Sequence, residues 1–185
     1  MAQPPTIATA RLILRPFALT DATDVQRLAG QRDIAATTDH IPHPYDIAMA
    51  QAWIGSHQPG FEAGTLATFA IVLCTGGELI GAIGLTIIAE HERAELGYWV
   101  GKPYWGQGYC TEAAGAVLRY AFEEGGLNRV HACHFARNPA SGRVMQKIGM
   151  QHEGRLRQHV KKWGQLEDLE MYGVLREEYR APRSR

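Results

Sequence analysis

The chain has 185 residues, 45% of them hydrophobic and 21% charged, proportions that suit a soluble globular domain and exclude disordered and fibrous architectures. Nineteen Lys and Arg face nineteen Asp and Glu, which leaves no broad electropositive surface for nucleic acid and no polybasic membrane anchor. No run reaches the roughly 18–20 apolar residues of a membrane span, and the first fifteen residues lack the basic start and apolar block of a secretory signal. Cys74, Cys110 and Cys133 are odd in number and form no CxxC pair, so they read as free thiols in a reducing, cytoplasmic setting with no metal site.

No repeat or linker divides the chain, and residues 1–185 are expected to form a single domain. Residues 11–17 alternate and then break at Pro16, which suits an edge strand. Thr20 is the expected cap of a first helix carrying Val25, Leu28 and Ala29 on one face. Residues 31–45, with Pro42 and Pro44, are expected to form a loop. Asp46 then caps a helix that buries Ile47, Ala50, Trp53 and Ile54. Strands follow over 69–73, 78–87 and 93–100, with Thr75-Gly76-Gly77 turning between the first two.

A loop rich in glycine and aromatic residues, 101–108, leads into a helix with Ala114, Val117, Leu118, Ala121 and Phe122 at i, i+3, i+4, i+7 and i+8. Gly125-Gly126 ends it. Residues 129–135 form another strand, Val144, Met145 and Ile148 mark a short helix, and two last strands meet near Trp163-Gly164. The order β-α-α-β-β-β-α-β-α-β-β predicts an α/β (α+β) fold: a mixed sheet of about seven strands with helices on both faces.

The strand–loop–helix segment from Val100 to Ala113 carries the strongest chemical signal. Gly106 and Gly108 let the backbone approach a ligand, and the helix beginning near 108 offers unpaired amides and the positive end of its dipole. Together these make a phosphate-sized anion site. It is no Walker loop, since Gly101-Lys102 is followed by Pro103, and no dinucleotide fingerprint, since Thr111 stands where the third glycine belongs.

The run Trp105-Gly-Gln-Gly-Tyr-Cys110 resembles the [Q/R]xxGx[G/A] signature of the GNAT acyltransferases, departing from it at Trp105 and Cys110. Its setting, WGQGYCTEA, is similar to the form found in the ribosomal-protein N-terminal acetyltransferase (RimJ/RimL) branch. So are Thr9–Pro16, Ala94–Val100, Asn138-Pro-Ala-Ser141, Lys147–Met150 and Glu153-Gly154. The resemblance spans about residues 9–175. It implies a GNAT fold and acetyl-CoA as co-substrate. The pyrophosphate would lie on the amides of Gly106, Gln107, Gly108, Tyr109, Cys110 and Thr111, beside Trp105. The pantetheine arm would lie along Tyr98, Trp99 and Val100, with Asn138 bonding it and Ser141 near the sulfur.

Direct transfer of acetyl needs a neutral amine and a donor for the departing sulfur. The resemblance implies Glu95 as the base and Ser141 as the donor. Strand alternation sets Glu95 beside Trp99, where poor solvation would make it a better base. Cys110, at a helix N-terminus, is expected to be a reactive thiol. His131 and His134 flank Cys133 without a zinc spacing and read as packing or surface residues. Arg155, Arg157, Lys161 and Lys162 form a basic strand that solvation explains, with an acidic partner as the alternative. The loop with His40, His43 and Tyr45 would border the acceptor groove. The expected activity is N-acetylation of a primary amine, preferably a protein or peptide α-amine, by a monomer or homodimer. A small-amine acetyltransferase and a non-catalytic acyl-CoA-binding module are the alternatives.

Overall fold

The computed structural model describes residues 3–179. The apolar runs become inner strands: β3 (Leu66–Leu73) and β4 (Leu79–Ile88) are buried along most of their length. They are antiparallel neighbours, joined through Gly76 and Gly77 at positive φ. β5 (Arg93–Val100) pairs antiparallel with β4 along its whole length. On the other side β2 (Leu12–Arg15) joins β3, and β1 (Ile7–Ala8) joins β2. That last strand brings the sheet to eight rather than about seven; two residues are too few to give a periodic signal.

β6 (Arg129–Phe135) lies parallel to β5, and the hairpin of β7 (Gln151–Lys162) and β8 (Gln165–Leu175) completes the order β1-β2-β3-β4-β5-β6-β8-β7. The hairpin turns at Trp163 (φ 48°) and Gly164 (φ 85°), the doubly left-handed geometry that matches strand twist in a two-residue turn. β7 is an edge strand, and its exposed Arg155, Arg157 and Lys161 are the charges that discourage edge-to-edge pairing.

Two helices cover one face. α5 (Tyr109–Glu123) buries Ala114, Val117, Leu118 and Ala121 in a core shared with Leu14, Phe69, Ile83 and Leu96. Each large apolar side chain so buried contributes about 1.5–3 kcal/mol. α6 (Pro139–Lys147) adds Met145 to the same core.

The other face carries α1 (Ala22–Ala29), α2 (Arg32–Thr37), α3 (Ile47–Gly55) and α4 (His57–Glu62). Thr20 does not cap α1. It lies in a 3₁₀ turn, Leu19–Asp21, where the Asp21 carboxylate accepts from the Ala18 amide at 2.8 Å and from both Arg15 nitrogens at 2.8 Å. α2 falls inside the expected loop; its six residues bury only Ile34 and Ala35, too short a stretch to show a period. Asp46 does cap α3, through the Met49 amide at 2.8 Å, and Ala50 and Ile54 are buried while Ile47 is exposed. Pro59 and Gly60 hide α4 from a propensity reading. Among the described residues no helix is long and apolar enough to cross a membrane.

Candidate active site

Parallel pairing of β5 with β6 covers only Arg93–Arg129, Ala94–Val130 and Glu95–His131. Beyond Glu95 the strands part, since β5 keeps to β4 while β6 follows β8. The Gly101 amide donates to Ile80 O at 2.8 Å, so odd-numbered backbone groups of β5 face β4; the Leu96 amide closes the last rung with β6, and the backbone groups of Tyr98 and Val100 face the gap. The Val100 carbonyl there is taken by the Trp105 indole N–H at 2.6 Å. A cavity of about 1110 Å³ passes through this opening, lined from the α5–α6 side by Tyr98, Ser141 and Met145 and from the other by Glu95, Trp99 and His131.

At one end of the gap lies the glycine loop. Gly106 (φ 75°) and Gly108 (φ 81°) are both left-handed, and Gly108 is the N-cap of α5. A Cβ at Gly106 would meet nothing within 4 Å, and one at Gly108 only an Arg11 nitrogen at 3.5 Å. The first-turn amides of α5 have no intrahelical acceptor by helix geometry. The bare backbone, the free amides and the open edge of β5 together fit the pyrophosphate and pantetheine parts of coenzyme A. Trp105, 45% exposed, ties the loop to Val100 and stands where the signature has Gln or Arg.

One support was not singled out from sequence. Glu112, in the first turn of α5, accepts from Thr9 Oγ1 (2.7 Å), the Arg11 amide (2.8 Å) and Arg11 Nε (2.7 Å). Arg11 Nη1 donates to Gln107 O at 3.0 Å, and the guanidinium lies 4.7 Å from the Tyr109 ring centroid. The turn between β1 and β2 thus grips the loop and sets the Arg11 guanidinium, paired with Glu112, beside it. Burial works against ionising Glu112, but these hydrogen bonds outweigh it and hold the carboxyl below its ordinary range. Their presence inside the Thr9–Pro16 and WGQGYCTEA motifs was the only sequence signal.

Cys110 corrects an expectation. It packs against the main core, and burial pushes its thiol up to about 12, overriding the helix dipole. Any contact it makes with an anion is through its amide.

Asn138 is the N-cap residue of α6, yet its side chain makes no cap bond, so capping does not account for it. Ser141 Oγ lies 2.9 Å from Tyr98 Oη, which also reaches the Ser141 carbonyl at 3.1 Å. This contact bridges 43 residues of sequence.

On the opposite face Glu95, Gly97 and Trp99 share one side of β5, as alternation requires. Glu95 is exposed to water within the cavity, so the poor solvation expected beside Trp99 is absent. His131, across the last paired rung, is buried, as the packing reading expects. It lines the cavity with Nδ1 buried and unpartnered. Burial lowers its pKa against the opposing pull of Glu95, with Arg129 and Arg93 adding to the fall.

His57 lies further along the same wall, between Trp53 and Phe17 at ring separations of 4.4 and 5.3 Å, with neither nitrogen paired. Lys162 Nζ donates to Asp39 O and Ile41 O, both at 2.9 Å, fastening the 38–45 segment over the cavity. Arg155 is engaged by Glu170 and Asp168. Two of the four basic residues of this strand are therefore internally satisfied. His43 Nδ1 contacts Gly30 O at 3.1 Å, and Tyr45 and His40 line the cavity. No group of three or more His, Cys, Asp or Glu among the described residues is arranged to hold a metal ion.

Residues 11–151 match the family described as acetyltransferase (GNAT) domain. The uncharacterized N-acetyltransferase p20 of Bacillus licheniformis is 31% identical over 175 residues, 94% of this chain and 98% of that protein. Among solved structures, RimJ of Mycobacterium smegmatis in complex with CoA-disulfide superposes with a TM-score of 0.85 at 23% identity, over 95% of this chain and 89% of that one. The Microcin C7 self immunity acetyltransferase MccE, in complex with acetyl-CoA and AMP, gives 0.82 at 19%, over 90% and 93%. With the parting strands and the glycine loop, these matches make the chain a member of the GNAT family and an acetyl-CoA-dependent N-acetyltransferase.

Proposed function

We propose that the acceptor is the α-amine of a peptide or protein chain and that acetyl passes to it directly at the opening between β5 and β6. The reading rests on one observation: strand pairing stops at Glu95–His131, and a cavity crosses the sheet there with a carboxylate on the far side from the glycine loop.

In this reading the amides of Gly106–Thr111, with Arg11 beside them, hold the pyrophosphate. Asn138 and the free edge of β5 align the pantetheine. The Tyr98 amide, the first on the free edge beyond the last paired rung, donates to the acetyl carbonyl oxygen as negative charge develops on it, a donor already fixed by the strand. Glu95 attracts the acceptor's ammonium and takes a proton from it, directly or through water. An α-amine titrates near ~8, so a modest base suffices. Ser141 donates a hydrogen bond to the sulfur as the C–S bond breaks.

The lining favours a chain terminus over compact acceptors. It includes Asp39 and Glu95 and, among the described residues, no Lys or Arg. A free amino acid would bring its carboxylate there to meet no Lys or Arg, only imidazoles such as His40 and His159, and a nucleotide its phosphate; a peptide has a neutral amide in that position. The aromatic and aliphatic walls of Tyr45, Met49 and Trp53 suit uncharged side chains.

The test is free-thiol release with acetyl-CoA and a matched acceptor set: a peptide, the same peptide with its α-amine blocked, the free amino acid and a polyamine. Turnover confined to the unblocked peptide supports the reading. Preference for the polyamine would move the function to small amines. In the same assay Glu95→Gln should depress turnover most at low pH, and a uniform drop at every pH would remove Glu95 as the base.

A further inference from the structure

Tyr98 Oη, Ser141 Oγ and the Ser141 carbonyl oxygen form a triangle of three oxygens that share two protons. Two arrangements satisfy the distances of 3.1 Å and 2.9 Å. In the first, Tyr98 donates to the carbonyl and Ser141 donates back to Tyr98, so both protons are spent inside the pair. In the second, Tyr98 donates to Ser141 Oγ, and the serine proton is free to point at a third atom. They differ by rotation about two C–O bonds, and no heavy atom moves.

Both residues line the cavity where β5 and β6 part, on the α5–α6 side, with the buried Met145 beside them. Ser141 stands in the first turn of α6, which fixes its backbone; Tyr98 is held by β5. Burial, opposed only by the Ser141 hydrogen bond, pushes the phenol above its ordinary value, so it remains a donor at neutral pH.

We propose that Tyr98 is a positioning residue for acyl transfer: by donating to Ser141 Oγ, it releases the serine proton to hydrogen-bond the departing sulfur. The proposal rests on the reading of Ser141 given above. No proton leaves Tyr98 or Ser141. As the amine nitrogen bonds to the acetyl carbon, the C–S electron pair passes to sulfur, and the Ser141 O–H bond stabilises that charge. Of the two protons the ammonium loses, one ends in solvent through Glu95. The other replaces the proton that water gives the thiolate, whose thiol titrates near ~8.5. A hydrogen bond that strengthens as sulfur gains charge acts on kcat and leaves ground-state binding alone.

The experiment compares Tyr98→Phe, Ser141→Ala and the double variant by kcat, acetyl-CoA KM and melting temperature. Phe keeps the ring and the Tyr98 backbone, so the variant isolates the hydroxyl. The expected result is a kcat about tenfold lower for Tyr98→Phe, the size of one hydrogen bond, with KM and melting temperature nearly unchanged. The double variant should be no slower than Ser141→Ala alone, because Tyr98 acts through that serine. Multiplying losses in the double variant, a raised KM with kcat intact, or an unimpaired Tyr98→Phe beside a crippled Ser141→Ala would each overturn the proposal while leaving Ser141 its role. A fully active Ser141→Ala would remove the Ser141 reading itself, and the proposal with it.

Discussion

His57 should make the enzyme acid-labile in a window set by one buried ring. It is 8% exposed, packed between Trp53 and Phe17, and burial alone pushes its pKa from 6.5 down to about 4. A depressed value means that the unfolded chain binds the proton more readily than the folded one. Stability is therefore full above pH 6.5 and falls as pH drops toward 4. At pH 5 about 97% of the unfolded imidazoles are protonated against roughly 10% of the folded ones, which costs about 2 kcal/mol relative to pH 7. For a chain of this size that lowers the melting temperature by about 4–8 °C.

His57→Phe keeps an aromatic body without the titrating nitrogens and should remove this loss. Thermal melts of both proteins between pH 7 and 5 provide the assay. His131, whose pKa burial also lowers, and the carboxylates held below their ordinary range, Asp21, Glu112, Glu153 and Glu170, are common to both proteins and cancel in the difference. Parallel curves for the two proteins would refute the reasoning.

Glu112→Gln should loosen the grip of the β1–β2 turn on the glycine loop and raise the acetyl-CoA KM about fivefold with kcat retained; an unchanged KM would mean that the loop holds its shape unaided. Gly108→Ala forces a side chain into φ 81°, at a cost of about 1–2 kcal/mol, and should lower the melting temperature by roughly 2–8 °C. An unaltered melt would contradict the left-handed turn. Cys110 should alkylate slowly at pH 8 with or without coenzyme A, since burial pushes its thiol up to about 12. Rapid alkylation that coenzyme A blocks would restore the helix-dipole argument.

What the sequence disclosed was local. The glycine loop, α5 and its apolar stripe, the Asp46 cap and the Trp163-Gly164 turn each depend on a few consecutive residues. Periodicity or turn chemistry suffices for them. The elements missed were short: α2 and α4, six residues each, and the two-residue β1 all hold fewer than two repeats of their own period. The site's finer chemistry lay in distant pairings, with Arg11 meeting Glu112 across 101 residues and Tyr98 meeting Ser141 across 43. That the buried His131 also faces a cavity was hidden, because only the parting of β5 from β6 creates it. Cys110 failed for a different reason. The dipole at its helix terminus was visible in the sequence, but the opposing desolvation was not.

The most direct test joins the two substrates. A conjugate of coenzyme A linked through an acetyl bridge to the N-terminal nitrogen of a short peptide should bind, and its structure with the enzyme can be determined. The account predicts pyrophosphate on the Gly106–Thr111 amides, the bridge between β5 and β6 beside Ser141, and the peptide leaving past Glu95 and His131 beneath Tyr45 and Trp53. A peptide arm that stays on the α5–α6 side, or a bridge away from the parting strands, would contradict it.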